Sequence, residues 1–159
     1  MNQLRVRDLM TTQVVTVRPT DTVKQAVIRM AVDNVSGVPV VDNRSHVLGM
    51  LSQTDVLELI LRYQNKLDAA DAGHLLSNPL DVSASDGAVG IAGKEISDVH
   101  VQDIMKHSVL STTPDAEIIE VLRMMIKLDV GRIPVLEQGI LVGTVSRSDI
   151  IFYIYKKKV

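Results

Sequence analysis

The sequence predicts a mixed α/β (α+β) fold: two pseudo-symmetric β-α-β-β-α units, each a small three-stranded sheet with two helices, packed as a pair. An internal repeat, the order of apolar patterns inside each copy and an aliphatic composition carry that prediction. Aligning Val6-Arg7-Asp8-Leu9-Met10 with Val101-Gln102-Asp103-Ile104-Met105 sets a shift of 95 residues. It persists at Val14 and Val109, Pro19 and Pro114, Met30 and Met125, Val35 and Val130, and Pro39-Val40 and Pro134-Val135. A deletion in the turn near Arg44 reduces the shift to 94, after which Gly49, Ser52, Asp55 and Ile60 fall on Gly143, Ser146, Asp149 and Ile154. Self-similarity at a fixed period means a repeated supersecondary unit.

Each copy opens on a short amphipathic turn, Val6 to Met10 in the first. A β-branched run, Val14 to Val17, reads as a strand ended by Arg18-Pro19. Thr20 or Asp21 is expected to cap a helix whose apolar positions Val23, Ala26, Val27 and Met30 follow helical spacing. In the second copy Asp115 is the expected cap, ahead of Ile118, Val121, Leu122 and Met125. Two β-branched runs follow, Val38 to Val41 and Val47 to Leu51, joined by the turn residues Asp42-Asn43-Arg44-Ser45. Ile133 to Leu136, Glu137-Gln138-Gly139 and Ile140 to Val145 repeat the arrangement. A closing helix runs from Thr54 toward Tyr63, and from Ser148 toward Lys156. One unit of about 60 residues is marginal alone, so the two are expected to pack together. The division is residues 1–65, a connector at 66–98, and 99–159. The connector is rich in Ala, Ser, Asp and Gly, as in Asp81-Val82-Ser83-Ala84-Ser85-Asp86-Gly87. Its Gly87, Gly90 and Gly93 lack the spacing and the Lys-Ser/Thr of a phosphate loop. Connectors of this length often serve as lids or partner contacts.

Composition narrows the function. Of the 159 residues 46% are apolar, but only 3% are aromatic, with no Trp and one Phe, so the core is aliphatic and base stacking is disfavoured. Lysine plus arginine number 17 against 19 acidic residues, a net charge of −2 that provides no basic excess for nucleic acid. No cysteine is present, and His46, His74, His100 and His107 never fall at metal-ligand spacing, so neither thiol chemistry nor a metal site is expected. No signal peptide and no run of about 18 apolar residues is seen, so a cytoplasmic protein without a transmembrane segment is expected. No paired acid and base or activated nucleophile suggests catalysis. Met30, Met124 and Met125 sit at core spacing. Phe152, Tyr153 and Tyr155 cluster on the last helix, either as a dimer contact or as an amphipathic cover, and Lys156-Lys157-Lys158 suits that helix's negative end.

Two copies of Val-x-Asp-h-Met (h apolar), an h-Pro-Val-h strand and Gly-x-h-Ser-x-x-Asp closing onto a helix resemble a tandem pair of CBS domains, the module named for cystathionine β-synthase. The resemblance covers nearly all of the chain except the connector. It implies a regulatory, non-catalytic module that needs no cofactor. Its clefts would bind an adenosine-containing ligand, AMP, ADP, ATP or S-adenosylmethionine, and signal to a protein partner; association through helix faces would make a homodimer. A structural dimerisation module with degenerate sites, or a nucleotide-processing enzyme, is the alternative.

The residues suit such a cleft. Gly49 permits close backbone approach, and the motif ends at a helix start whose free N–H groups favour phosphate. Asp55 can accept ribose hydroxyls, and Ser52 and Thr54 offer hydroxyls of their own; the same residues also suit a plain helix cap. Ser146, Arg147, Ser148 and Asp149 repeat the set. The resemblance further implies that each cleft is completed by the other copy. Asp55 would then face Gly131-Arg132-Ile133-Pro134 and Ser111-Thr112-Thr113-Pro114. Asp149 would face Ser36-Gly37-Val38-Pro39 and Thr16-Val17-Arg18-Pro19. Arg132 stands where relatives often carry a phosphate-binding cation, and Gly37 is its counterpart, so the Asp55/Arg132 cleft is favoured for a nucleotide. A surface ion pair is the other reading of Arg132, and Arg147 is either a second cation or solvent-facing.

Overall fold

The computed structural model describes residues 3–77 and 87–158; connector residues 78–86, with Pro79, lie outside the described residues. In chain order the elements are α1 (Val23–Asp33), β1 (Gly37–Val41), β2 (Val47–Ser52), α2 (Gln53–Ala69), α3 (Ala88–Asp98), α4 (Ile118–Leu128), β3 (Arg132–Glu137), β4 (Ile140–Ser146) and α5 (Arg147–Lys158). Short 3-10 turns stand at Val6–Asp8, Leu75–Ser77 and Val101–Asp103. β1 pairs with β2, and β3 with β4. The β3–β4 ladder is antiparallel, from Arg132 opposite Ser146 to Glu137 opposite Ile140, with an irregularity between Val135 and Leu136.

The expected leading strand of each copy is reduced to a single parallel bridge, Val17 to Val40 and Thr112 to Val135. The neighbouring strands carry Pro39 and Pro134 at these places, and a proline has no N–H to extend a ladder. What remains is Val17 N–H donating to the Pro39 carbonyl at 3.1 Å in one copy, and in the other Thr112 N–H donating to the Pro134 carbonyl at 3.0 Å with Leu136 N–H donating to the Thr112 carbonyl at 2.8 Å.

Two helix starts also differ from expectation. Thr22, not Thr20 or Asp21, caps α1: its hydroxyl accepts from Gln25 N–H at 3.2 Å, and the Gln25 side chain accepts from Thr22 N–H at 2.8 Å. Asp21 instead accepts from Arg18 N–H. α4 starts after Glu117, without a side-chain cap. Asp115 is drawn away by the Arg7 guanidinium, which pairs with its carboxylate.

The chain forms two compact units that do not follow the sequence copies. The α1/α2 unit comprises Val15–Val40 and Leu48–His107; the α4/α5 unit comprises Met1–Val14, Val41–Val47 and Ser108–Val159. Each unit therefore holds the opening turn of the other copy. In the α4/α5 unit fully buried Val6 donates its N–H to the Ala116 carbonyl, and Ile118 N–H donates to the Leu4 carbonyl, both at 2.9 Å. In the α1/α2 unit Val23 N–H donates to the Val99 carbonyl at 2.7 Å, and Val101 N–H to the Asp21 carbonyl at 2.8 Å. These bonds hold the turns beside the starts of α4 and α1. The division at 1–65, 66–98 and 99–159 thus marks copies of a sequence pattern, whereas the compact bodies exchange their first turns.

Both cores are aliphatic. In the α1/α2 unit Ala26, Met30, Val38, Val40, Leu51, Leu59, Ile96 and Val101 pack together. In the α4/α5 unit Val6, Val121, Met125, Ile133, Val135 and Val145 do so. Helix α3 lies inside the expected connector. Its Ala92, Gly93 and Ile96 are buried, and it packs on α1 and α2. Burial, with the Glu95 carboxylate of α3 beside it, pushes the Tyr63 phenol of α2 upward in pKa.

The turn after β1 is built on Asp42, whose Oδ1 accepts from Arg44 N–H at 2.8 Å and His46 N–H at 2.9 Å. These bonds, the one from His46 first, favour the charged form and hold the Asp42 carboxyl below its usual range. A depressed folded pKa gives stability that is present above the unfolded pKa and lost as pH falls through the folded one. Asp42→Ala is therefore expected to lower the melting temperature near pH 7, and the difference from the unmodified chain should close progressively below about pH 4. An unchanged difference between pH 7 and pH 3 would show that the charge is irrelevant to the turn.

Candidate functional site

The two Gly-x-h-Ser-x-x-Asp motifs each end a β-strand and open a helix, where extended backbone gives way to free N–H groups. At the start of α2, Ser52 is the N-cap. Its N–H donates to Asp55 Oδ2 at 2.8 Å, its hydroxyl donates to the same oxygen at 3.1 Å, and Asp55 N–H lies 3.3 Å from Ser52 Oγ. This is a capping box with aspartate at the third helical position. The other carboxylate oxygen, Oδ1, lies 3.5 Å from Lys106 Nζ, which is also 3.7 Å from Glu58 Oε2. The Asp55 side chain is only 2% exposed.

The start of α5 repeats the box with a different closure. Ser146 N–H donates to Asp149 Oδ2 at 2.8 Å, and Asp149 N–H donates to Ser146 Oγ at 3.1 Å. Here Oδ1 accepts from the Thr11 hydroxyl at 3.2 Å. Asp149 is half-buried, where Asp55 is buried. Thr54 and Ser148, one residue before each aspartate, are exposed in the first helical turn.

The other expected site residues divide between the units. Thr16, Gly37, Val38, Ser52, Thr54 and Asp55 belong to the α1/α2 unit; Thr112, Arg132, Ile133, Pro134, Ser146, Arg147, Ser148 and Asp149 belong to the α4/α5 unit. Arg132 opposes Ser146 in the β3–β4 register, so it stands beside the N-cap of α5. Its Nη1 donates to the Thr144 hydroxyl at 3.2 Å, and Thr144 and Thr112 are buried. Ile133 and Pro134 are buried as well. Arg147 is engaged elsewhere: its Nη2 donates to Asp129 Oδ1 at 2.8 Å, at the left-handed C-cap of α4.

Gly49 and Gly143 do permit close backbone approach, but the approaching backbone is the protein's own. A Cβ at Gly49 would lie 2.6 Å from the Lys106 carbonyl oxygen, and one at Gly143 would lie 2.9 Å from that of Thr11. Met50 and Lys106 exchange two N–H to carbonyl bonds at 2.9 Å, and Thr144 and Thr11 do the same. Lys106 and Thr11 therefore run beside β2 and β4 and reach the two capping carboxylates. Sequence reasoning missed both. The signal was present in the repeat, because they follow Met105 and Met10 at the common shift.

The sequence model of the CBS domain matches residues 6–62 and 101–156. The chain is a tandem CBS-domain protein. The pair is 26% identical over 155 residues to the uncharacterized protein MJ1426 of Methanocaldococcus jannaschii, covering 92% of this chain and 88% of that one. Other relatives are longer: the chain spans 32% of MJ1404 and 41% of MJ1225 from the same archaeon. Among solved structures it superposes on CBSX2 of Arabidopsis thaliana in complex with AMP, with a TM-score of 0.72 at 22% identity, covering 98% of each chain. It also superposes on the CBS pair of MJ0100 in complex with 5′-methylthioadenosine and S-adenosyl-L-methionine, with a TM-score of 0.67 at 17% identity, covering 98% and 99% of the two chains. These likenesses establish the CBS-pair fold. Among the described residues no helix is long and apolar enough to cross a membrane, and no group of three or more His, Asp or Glu side chains could hold a metal ion.

Proposed function

We propose that this CBS pair is a non-catalytic regulatory module that binds an adenosine-containing ligand and passes its occupancy to a protein partner. The observation that carries the reading is the twice-repeated capping aspartate, set in a family whose solved members include pairs holding AMP or S-adenosylmethionine. A carboxylate at a helix start accepts ribose hydroxyls, and helix N–H groups with a nearby guanidinium attract phosphate. Ser146, Ser148, Asp149, Thr112 and Arg132 supply this chemistry in the α4/α5 unit, and Thr16, Ser52, Thr54 and Asp55 in the α1/α2 unit. Of the strand positions, Gly37 is partly exposed, while Val38, Ile133 and Pro134 are buried and would back the site from the cores. Titration calorimetry against AMP, ADP, ATP, S-adenosylmethionine and 5′-methylthioadenosine tests the reading, and binding of none of them would leave a structural dimerisation module. Turnover of ATP in the same samples would favour the enzyme alternative.

Within this reading Arg132 answers the phosphate. Hydrogen bonds to charged groups contribute roughly 1.5–3 kcal/mol, so Arg132→Ala should weaken AMP about tenfold or more and adenosine hardly at all. Equal losses for both ligands would mean that Arg132 serves the fold and not the anion.

The reading includes a homodimer. Ile28 and Val32 on α1, Leu57 and Leu61 on α2, and Ile151, Phe152 and Tyr155 on α5 are all at least half exposed. The repeat thus offers large apolar helix faces in both units, more than scattered surface residues require. A second copy would cover them. Light scattering at tens of micromolar is expected to give twice the 17.4 kDa of one chain, and a monomer would count against the dimer.

A further inference from the structure

We infer that Thr11 and Lys106 decide which of the two helix-capping carboxylates a ligand engages: Thr11 leaves Asp149 open to a ribose diol, and Lys106 closes Asp55. The inference rests on the functional reading above and names the carboxylate and the ligand group that reading leaves open.

The two boxes are alike in their helix-directed half and differ in the other. Asp149 Oδ1 is met by the Thr11 hydroxyl at 3.2 Å, a neutral donor on an exposed residue. A ribose hydroxyl is the same chemical group. It replaces Thr11 donor for donor, and no charge is left without a partner. Asp55 Oδ1 is met instead by the Lys106 ammonium at 3.5 Å, and Glu58 also pairs with that ammonium at 3.7 Å. A ligand hydroxyl arriving there would displace the cation that pairs a carboxylate only 2% exposed, leaving a buried charge without its counter-ion.

The residues around each box differ in the same direction. At repeat-equivalent positions the α4/α5 unit carries Arg132, Thr144 and Thr112 where the α1/α2 unit carries Gly37, Met50 and Val17. Thr112 and Thr144 are buried polar residues beside the strand pair that opens α5, and Arg132 shares that strand pair. One unit thus combines a half-buried carboxylate, hydroxyls and a guanidinium, as a phosphorylated nucleoside requires. The other has Gly37, Met50 and Val17 at the places of the guanidinium and the two buried hydroxyls, and an aspartate already paired with a lysine. This ranking differs from the Asp55 preference drawn from the sequence: Arg132 shares its unit with Asp149.

The test is calorimetric titration of the full chain with AMP, with thermal melts to check folding. One AMP per chain is expected. Asp149→Asn, which keeps an oxygen for the Ser146 N–H, should weaken AMP at least tenfold, and Thr11→Lys should do the same by recreating the Lys106 closure. Asp55→Asn should cost AMP at least threefold less affinity than Asp149→Asn does. Lys106→Thr should admit a second equivalent of 5′-methylthioadenosine, a ribose ligand without phosphate. Loss of AMP binding in Asp55→Asn with Asp149→Asn unaffected would overturn the assignment, as would two equivalents of AMP on the unmodified chain. If the unmodified chain binds none of the adenosine ligands, the functional reading fails and the inference fails with it.

Discussion

Ile96→Ala is expected to lower the stability of the chain by roughly 2–5 kcal/mol, the range for truncating a large aliphatic side chain in a packed core. Ile96 is 1% exposed. It lies on α3, which packs on both α1 and α2, so its loss would leave a cavity lined by packed helices. The same helix is joined to α1 by the Val23 N–H to Val99 carbonyl bond at its C-terminal end. Set against the 5–15 kcal/mol that domains of this size possess, the loss should shift the urea midpoint to a much lower concentration with little change in slope. Ile91 on the same helix is 58% exposed, and Ile91→Ala should stay within about 0.5 kcal/mol. Equal effects from the two substitutions would show that α3 is an appended helix and not part of the core.

That prediction concerns a segment which the sequence alone presents as a connector. The helical pattern of α3 is present in Val89, Ala92 and Ile96 but is diluted by Gly90 and Gly93, residues with low helix propensity. Tertiary contact overrides the propensity: the chain has Ala92, Gly93 and Ile96 to bury against α1 and α2. The strongly patterned elements were legible for the opposite reason. The Met30 and Met125 helices, the two hairpins and the closing helices each carry apolar periodicity together with turn or cap residues, so local and global preferences agree. The exchange of opening turns was not legible. Val6 and Val101 read as amphipathic in either copy, and only the bonds to Ala116 and Asp21 show which unit each completes. The capping role of Asp55 and Asp149 was legible from Ser-x-x-Asp. The difference between them was not, because it depends on Lys106 and Thr11, distant in sequence and placed by strand pairing with Met50 and Thr144.

Gly49→Ala should destabilise the chain more than Gly143→Ala, although the two occupy equivalent places in the repeat. Neither glycine has a left-handed backbone, so the argument is one of space. A Cβ at Gly49 would meet the Lys106 carbonyl oxygen at 2.6 Å and Met105 Sδ at 2.8 Å. The methionine can swing aside. The carbonyl cannot, because Lys106 is fastened to Met50 by a reciprocal pair of 2.9 Å bonds and its side chain covers Asp55. At Gly143 the corresponding distances are 2.9 Å to the Thr11 carbonyl oxygen, which is fastened to Thr144 by the same kind of reciprocal pair of bonds, and 3.1 Å to Met10 Sδ, so a Cβ there also meets backbone but less closely than the 2.6 Å at Gly49. Alanine gains about 0.4–1 kcal/mol by restricting the unfolded chain, whereas forcing an extra methyl into a packed site costs typically 1–3 kcal/mol. For Gly143→Ala the cost still exceeds the gain, by about 1 kcal/mol. For Gly49→Ala the cost is at the upper end, with a net loss of about 2 kcal/mol. Introducing Met105→Ala beside Gly49→Ala separates the two contacts: removing the sulfur should leave most of the Gly49→Ala penalty in place, because the carbonyl remains. Full recovery in that double-mutant cycle would assign the clash to the side chain, and equal stability of the two alanine variants would refute the backbone argument.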